Sequence, residues 1–285
     1  MAVNKVTVNG ETIVDLTGDT VTPASLAQGV TAHDAAGNPI SGTMLTFWDV
    51  QGAGAHNSLF RGKNLGSSVT AAQWAAIEAG TFEDLYIGDY WAINGVTWRI
   101  AAFDYYLHTG DNPVCTTHHA VIVPDAPLYE TYMNPDKTVA GAYVGSAMRT
   151  TGLNQAKTII NNAFGAAHIL AHTQYLANAA NGDNTSGGAF YNDSTVELMT
   201  ERNVYGSAVF NNSAPGTTVW SIYTIDKSQY PLFRYRPDMA SNGYWLWLRD
   251  VGYSEGFCGV NNMGNAAIDT SWTAHGVRPA FSIKA

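Results

Sequence analysis

The groups in this 285-residue chain that could bind a metal, move a proton or attack a carbon centre include eight histidines, 23 acidic residues and two cysteines. His118 and His119 are adjacent, just before an apolar run, AVIVP, that reads as a buried strand. Successive strand side chains point to opposite faces, so the pair is not expected to grip one metal ion. His168 and His172 stand four apart, which would place both on one helix face. The metalloprotease pattern needs a Glu directly after the first His, and Ile169 stands there instead. Helix packing and surface hydrogen bonding are the expectation for both. Cys115 precedes His118 by three residues, but a thiol–imidazole dyad is made by folding, not by closeness in sequence. Cys115 and Cys258 read as two isolated thiols. No Gly-x-Ser-x-Gly elbow occurs, and Gly62-Lys63 lacks the neighbours of a phosphate loop. Asp111, Asp125, Glu130 and Asp136 are candidates for a glycosidase-like carboxylate pair, about 5 to 9.5 Å apart across a groove, but their spacing singles out no two of them. Asp183, Asn184 and Asp193 share a loop whose oxygens suit calcium, yet Asp and Asn are also ordinary turn residues, and the turn reading is preferred. The expectation is a protein without catalytic residues, metal or cofactor.

The elements around these groups follow from composition and pattern. The chain is 46% hydrophobic and only 13% charged, with a net charge of −9. That is enough apolar side chain to build a core, and the wrong sign for broad phosphate-backbone binding. The N-terminus has no apolar signal-like run and no stretch approaches a membrane span, so neither export by a signal peptide nor membrane insertion is expected. Residues 1–46 read as a small β-rich module. It starts with a hairpin about Asn9-Gly10, continues with a short helix opened by Pro23 and closed by Gly29, and ends with two small strands at 30–33 and 40–44. Thr70 caps a short helix that ends at Gly80. A second hairpin turns at Asn94-Gly95. Residues 146–203 read as helical, with Leu153, Ala156, Ile160 and Phe164 at helical spacing, a flexible loop at 181–193, and a capping box, Ser194 to Glu197, opening a further helix. Residues 244–285 read as consecutive strands.

The last segment, SNGYWLWLRDVGYSEGFCGVNNMGNAAIDTSWTAHGVRPAFSIKA, carries the most information. Trp245, Trp247 or Leu248, Phe257, Val260, Val277 and Phe281 suit the framework of a small antiparallel sheet. Between them lie Tyr244, Tyr253, Ser254, Glu255, Asn261, Asn262, Asn265, Asp269, Trp272 and His275. Mid-sized polar and aromatic residues at strand and turn positions make an adaptable contact surface, and they also make ordinary turns.

WLRDV followed by a Gly/Asn/Ser-rich stretch and closed by GVRPAF resembles the C-terminal end of phage and bacterial proteins with a C-type lectin fold. More narrowly, it resembles the variable proteins of diversity-generating retroelements, of the major tropism determinant type. DLYIGDYWAINGVTWRIAAFDYY, AMRTTGLNQAKTIINNAFG and STVELMTERNVYG are similar to phage tail proteins of this group, and VTPASLAQGVTAHDAAGNPISGTM to a module recurrent in tail fibres. The resemblance implies an α+β C-type lectin domain over 47–285, a variable region over 244–275, and an attachment or oligomerisation module over 1–46. It implies a virion protein of the phage tail, made in the bacterial cytoplasm, that recognises the host surface. Its partners would be a host cell-surface receptor (protein or glycan), other tail proteins and two further copies in a homotrimer, with no nucleic acid. Ten residues would form the ligand face: Tyr244, Tyr253, Ser254, Glu255, Asn261, Asn262, Asn265, Asp269, Trp272 and His275. The resemblance also implies adenine-directed rewriting of Asn-type codons, and Glu255, Met263 and Trp272 do not follow from a single such codon by adenine changes alone. Arg236-Pro237-Asp238 and Trp247-Leu248-Arg249-Asp250 replace the triplet and strand of calcium-dependent lectins, so calcium-mediated sugar coordination is not expected. A tail-associated polysaccharide-degrading enzyme is the alternative.

Overall fold

Asn9 and Gly10 both take positive φ, +51° and +86°, as a two-residue type I′ turn requires. They join β1 (Lys5–Val8) to β2 (Glu11–Asp15). The same device recurs at Asn94 and Gly95, with φ +53° and +79°. The computed structural model describes residues 2–46, 50–110, 113–180, 186–210, 228–253 and 255–285. They fall into two units, Met1–Gln51 and Gly52–Ala285.

In the first unit a second hairpin pairs β3 (Thr31–His33) with β4 (Pro39–Ser41). Asp34 Oδ1 closes its turn by accepting from the Ala36 and Asn38 amides at 2.9 and 2.8 Å. The expected helix after Pro23 is a single 3₁₀ turn, Pro23–Ser25. Among the described residues of this unit only Gly37 and Gly42 are buried. A Cβ at Gly42 would stand 2.0 Å from the Ala27 carbonyl oxygen, so close backbone approach, not a side-chain core, shapes the unit.

The second unit begins with α1 (Ala53–His56) and α2 (Ala71–Glu78). Thr70 and Gln73 form the capping box of α2. One five-stranded sheet contains β5 (Tyr90–Ile93), β6 (Val96–Phe103) and β7 (Ala120–Pro124). The next strand, β8 (Tyr129–Thr131), belongs to a second sheet. A π-helical turn, Met148–Gly152, leads into α3 (Leu153–Phe164). The hairpin of β9 (His172–Ala180) and β10 (Ser186–Ser194) follows, then β11 (Val196–Leu198), α4 (Glu201–Tyr205) and α5 (Pro231–Tyr235). The chain ends with β12 (Leu246–Tyr253), β13 (Gly256–Val260), β14 (Ala266–Thr270), β15 (His275–Val277) and β16 (Pro279–Ile283). The first sheet runs β11-β16-β7-β6-β5 and the second β14-β13-β12-β15-β8. Leu153, Ala156, Ile160 and Phe164 of α3 are buried, and the Phe164 ring meets Trp91, Trp98 and Phe281 edge-on. Among the described residues no helix is long and apolar enough to cross a membrane.

The expected α+β C-type lectin fold is corrected by this architecture. Of the described residues 34% are strand and 20% helix, in several small, mainly antiparallel sheets. Much of the segment read as helical is strand. β9, β10 and β11 occupy it, because Leu176, Ala177, Val196 and Leu198 are buried by pairing. The capping box expected at Ser194 is absent. Glu197 is instead a buried β11 residue, and the cap falls at Thr200, whose hydroxyl accepts from the Asn203 amide at 3.1 Å. Of the expected loop 181–193, residues 181–185 lie outside the described residues and the rest are in β10. WLRD and GVRPAF do encode strands. However, Arg249, Asp250 and Arg278 are buried anchors between those strands and their neighbours, a local requirement that does not dictate the topology of the whole domain.

Candidate functional site

The second sheet carries the residues picked out in the sequence. β13 is buried throughout and pairs with β14 from Gly256↔Thr270 to Val260↔Ala266. Glycines let neighbouring rings lie on it. A Cβ at Gly259 would stand 2.4 Å from the Trp245 ring, and one at Gly256 would stand 2.3 Å from the Tyr253 ring. β14 and β15 are three places apart in the strand order, yet His275 Nε2 lies 2.8 Å from Asp269 Oδ2. The sheet is therefore curled, folding this pair over the tryptophans. The His275 ring stacks on Trp245 (3.9 Å between centroids, 15° between planes) and meets Trp247 edge-on at 4.7 Å.

Burial opposes the charge on Asp269, but hydrogen bonds from His275 and Thr270 outweigh it and hold the carboxyl below its ordinary range. Tyr253 sits close enough to this carboxylate to feel it. Its hydroxyl is pushed up, first by desolvation and then by Asp269 and Glu255. Trp272 carries the Lys137 ammonium 4.9 Å above its ring, a cation–π contact. Ser271, beneath it, donates to the Asp136 carbonyl at 2.6 Å.

Tyr244, Glu255, Asn262 and Asn265 are exposed, and Tyr253, Asn261, Asp269, Trp272 and His275 are half-buried. Ser254 lies outside the described residues. Asp269 and His275 meet directly, with Tyr253 and Glu255 near them. Asn261 and Asn265 belong to the β13–β14 turn, where Asn261 Oδ1 accepts from the Met263 and Asn265 amides at 2.9 and 3.0 Å. Asn261 thus shapes the turn, whereas Asn262 and Asn265 stand out from it. Trp245, read as framework, is the platform under His275, and Lys137 comes from a distant segment. No local pattern marks either role, because both depend on the curl of the sheet.

The other candidates fall elsewhere. His118 and His119 diverge: His119 is buried, while His118 is partly exposed with Nδ1 2.7 Å from Asp104 Oδ2. Burial holds His119 below its ordinary pKa. His168 lies in a 3₁₀ turn, Ala166–His168, and stacks on Trp74, while His172 opens β9, so the two do not share a helix. Desolvation, then the neighbouring His119, lowers the His172 pKa to about 3. Asp125 is tied to Arg99, with Nε to Oδ1 at 2.7 Å. Asp136 accepts from the Thr138 amide, and Glu130 is exposed on β8. Asp111, Asp183 and Asn184 lie outside the described residues, and Asp193 is in β10. Cys115 and Cys258 are separate buried thiols. Among the described residues no group of three His, Cys, Asp or Glu is placed to hold a metal ion. No protein-family model, curated protein or solved structure matches the chain.

Proposed function

We propose that this chain is a phage tail-tip protein that recognises a receptor on the host cell surface through the face formed by residues 244–275. Residues 1–46 would attach it to other tail proteins or join it into a homotrimer, and its place is the virion. A retroelement that rewrites selected codons within 244–275, those of the face, would change the target without touching the framework. One observation carries this reading. The β12–β15 framework residues Leu246, Trp247, Phe257, Val260 and Val277 are fully buried, while none of the nine described face residues is. Side chains at these less buried positions can then be exchanged while the buried framework is kept, as an adaptable binding surface requires. Modest affinity at each face would be raised by multiple copies acting together. The net charge of −9 disfavours nucleic acid as the target.

The test is a variant with Tyr253→Ala, Glu255→Ala and Trp272→Ala together, assayed for binding to host cells and for thermal unfolding. The reading expects binding lost and the unfolding transition retained. Unchanged binding would refute it.

A further inference from the structure

Strand β8 is the outer edge of the curled sheet, and the recognition face reaches it directly. Thr131 pairs with His275, and its carbonyl accepts from Trp247 Nε1 at 3.0 Å. On the outer side of β8 the chain returns through the π-helical turn Met148–Gly152 into α3. The Tyr129 hydroxyl binds the two sides together, donating to the Gly152 carbonyl at 2.6 Å and accepting from the Ala156 amide at 3.3 Å. π turns are frequent at functional sites. Here the turn and the strand edge enclose an open groove of about 290 Å³, lined by Tyr129, Glu130, Thr131, Tyr132, Thr151 and Gln155.

The lining narrows the chemistry of an occupant. No lysine or arginine lines the groove and one carboxylate does, so an anion would be repelled. No histidine or cysteine joins Glu130, so a metal ion has one side-chain ligand of its preferred kind. Apart from the Tyr129 and Tyr132 rings and the Ala147 methyl there is little apolar wall, so an apolar ligand would gain little by leaving water. What remains is a neutral molecule rich in hydroxyl groups. Its hydroxyls could donate to the Glu130 carboxylate and the Gln155 carbonyl, and accept from the Gln155 amide. Glu130 and Gln155 are exposed, and neither side chain has a hydrogen-bond partner among the described residues. Tyr132, 41% exposed, offers a flat apolar face to the C–H side of a ring. The volume is just below the roughly 300 Å³ at which sites for drug-sized ligands begin, so it suits one ring.

We infer that this groove seats one neutral saccharide unit of a host-surface glycan, beside the 244–275 face; the inference rests on the recognition reading above. The experiment titrates the full-length ¹⁵N-labelled protein with glucose, galactose, rhamnose, N-acetylglucosamine and N-acetylneuraminic acid. At least one neutral sugar is expected to shift the Thr131, Thr151 and Gln155 amides with millimolar affinity. Gln155→Ala is expected to weaken this by up to about tenfold, the upper end of what one lost hydrogen bond costs, and Tyr132→Ala to weaken it as well. All these side chains are exposed, so folding is kept. Absence of shifts with every neutral sugar, an affinity unchanged in Gln155→Ala, or preference for the acidic sugar would each overturn the inference. Host-cell binding separates the two readings. Cells bound without any sugar response, as a protein receptor would give, remove the groove assignment alone. A sugar response without cell binding removes the recognition reading.

Discussion

His172 gives the structure a built-in sensitivity to acid whose size can be worked out. The imidazole is buried at the start of β9, its ring 4.0 Å from that of Tyr106. Nε2 accepts from the Gln174 carboxamide at 2.8 Å. Its pKa in the fold is about 3, against an ordinary value of 6.5. The unfolded chain therefore binds a proton between these two values that the folded chain refuses, so stability falls as pH is lowered through that window. The contribution is fully present above pH about 6.5 and declines toward pH about 3. Moving from pH 7 to pH 5 costs about 2 kcal/mol from this residue alone, and about 3 kcal/mol by pH 4. His172→Phe keeps a ring against Tyr106 and removes the titration, while giving up the Gln174 hydrogen bond. Urea unfolding followed by tryptophan fluorescence at pH 7 and pH 5 measures the effect. The variant should lose about 2 kcal/mol less than the wild type over that interval. Parallel pH dependences of the two proteins would refute the reasoning, and with it the assignment of His172 as a buried neutral base.

Three further outcomes follow from other parts of the structure. Gly259→Ala places a methyl 2.4 Å from the Trp245 ring; it should cost about 1–3 kcal/mol by overpacking and change tryptophan fluorescence. Glu197→Leu should cost about 3–5 kcal/mol in urea unfolding, because it leaves the Arg149 guanidinium, 3.2 Å away, and the buried Tyr143 hydroxyl, 2.7 Å away, without their carboxylate. Residues 1–51 produced alone as a monomer should show no cooperative thermal transition by circular dichroism, since only two glycines of the unit's described residues are buried and an isolated hairpin is marginal in water.

The elements that could be read from the sequence are those set by neighbours along the chain. Asn9-Gly10 and Asn94-Gly95 give their turns away because positive φ at two successive positions demands such residues. Thr70 and Gln73 mark a helix start, and the spacing of Leu153 to Phe164 marks α3 and its buried face. Residues 172–180 defeat the same reasoning. HTQYLANAA has the composition of a helix, but pairing with β10 and burial of Leu176 override that preference. Ser194 to Glu197 matches a capping pattern, yet the carboxylate is used to satisfy Arg149 and Tyr143 inside the fold. At the candidate site, the residue types of the face were legible but their partners were not. The Trp245–His275 stack, the Lys137–Trp272 contact and the β8 groove join segments distant in the chain. Asn261 looked like a contact residue and is occupied in closing its own turn. The lectin-like ending describes buried anchors, which is why it fixed strands and not topology.

Arg278 is fully buried, and its guanidinium donates to the carbonyls of Pro124, Met239 and Ala240 at 2.6, 2.8 and 2.9 Å. All three acceptors are main-chain atoms, which every amino acid possesses. The clasp joining the end of β7 to the turn at 237–240 is consequently indifferent to which side chains occupy those places. What restricts positions 124, 239 and 240 is therefore their own burial in the core and not the arginine, which asks of them only a carbonyl and the path of the backbone. Among the described residues the side chain seated against the guanidinium is the Phe233 ring, 5.4 Å away, so a residue that changes in concert with Arg278 is expected at 233 and not at the three acceptors.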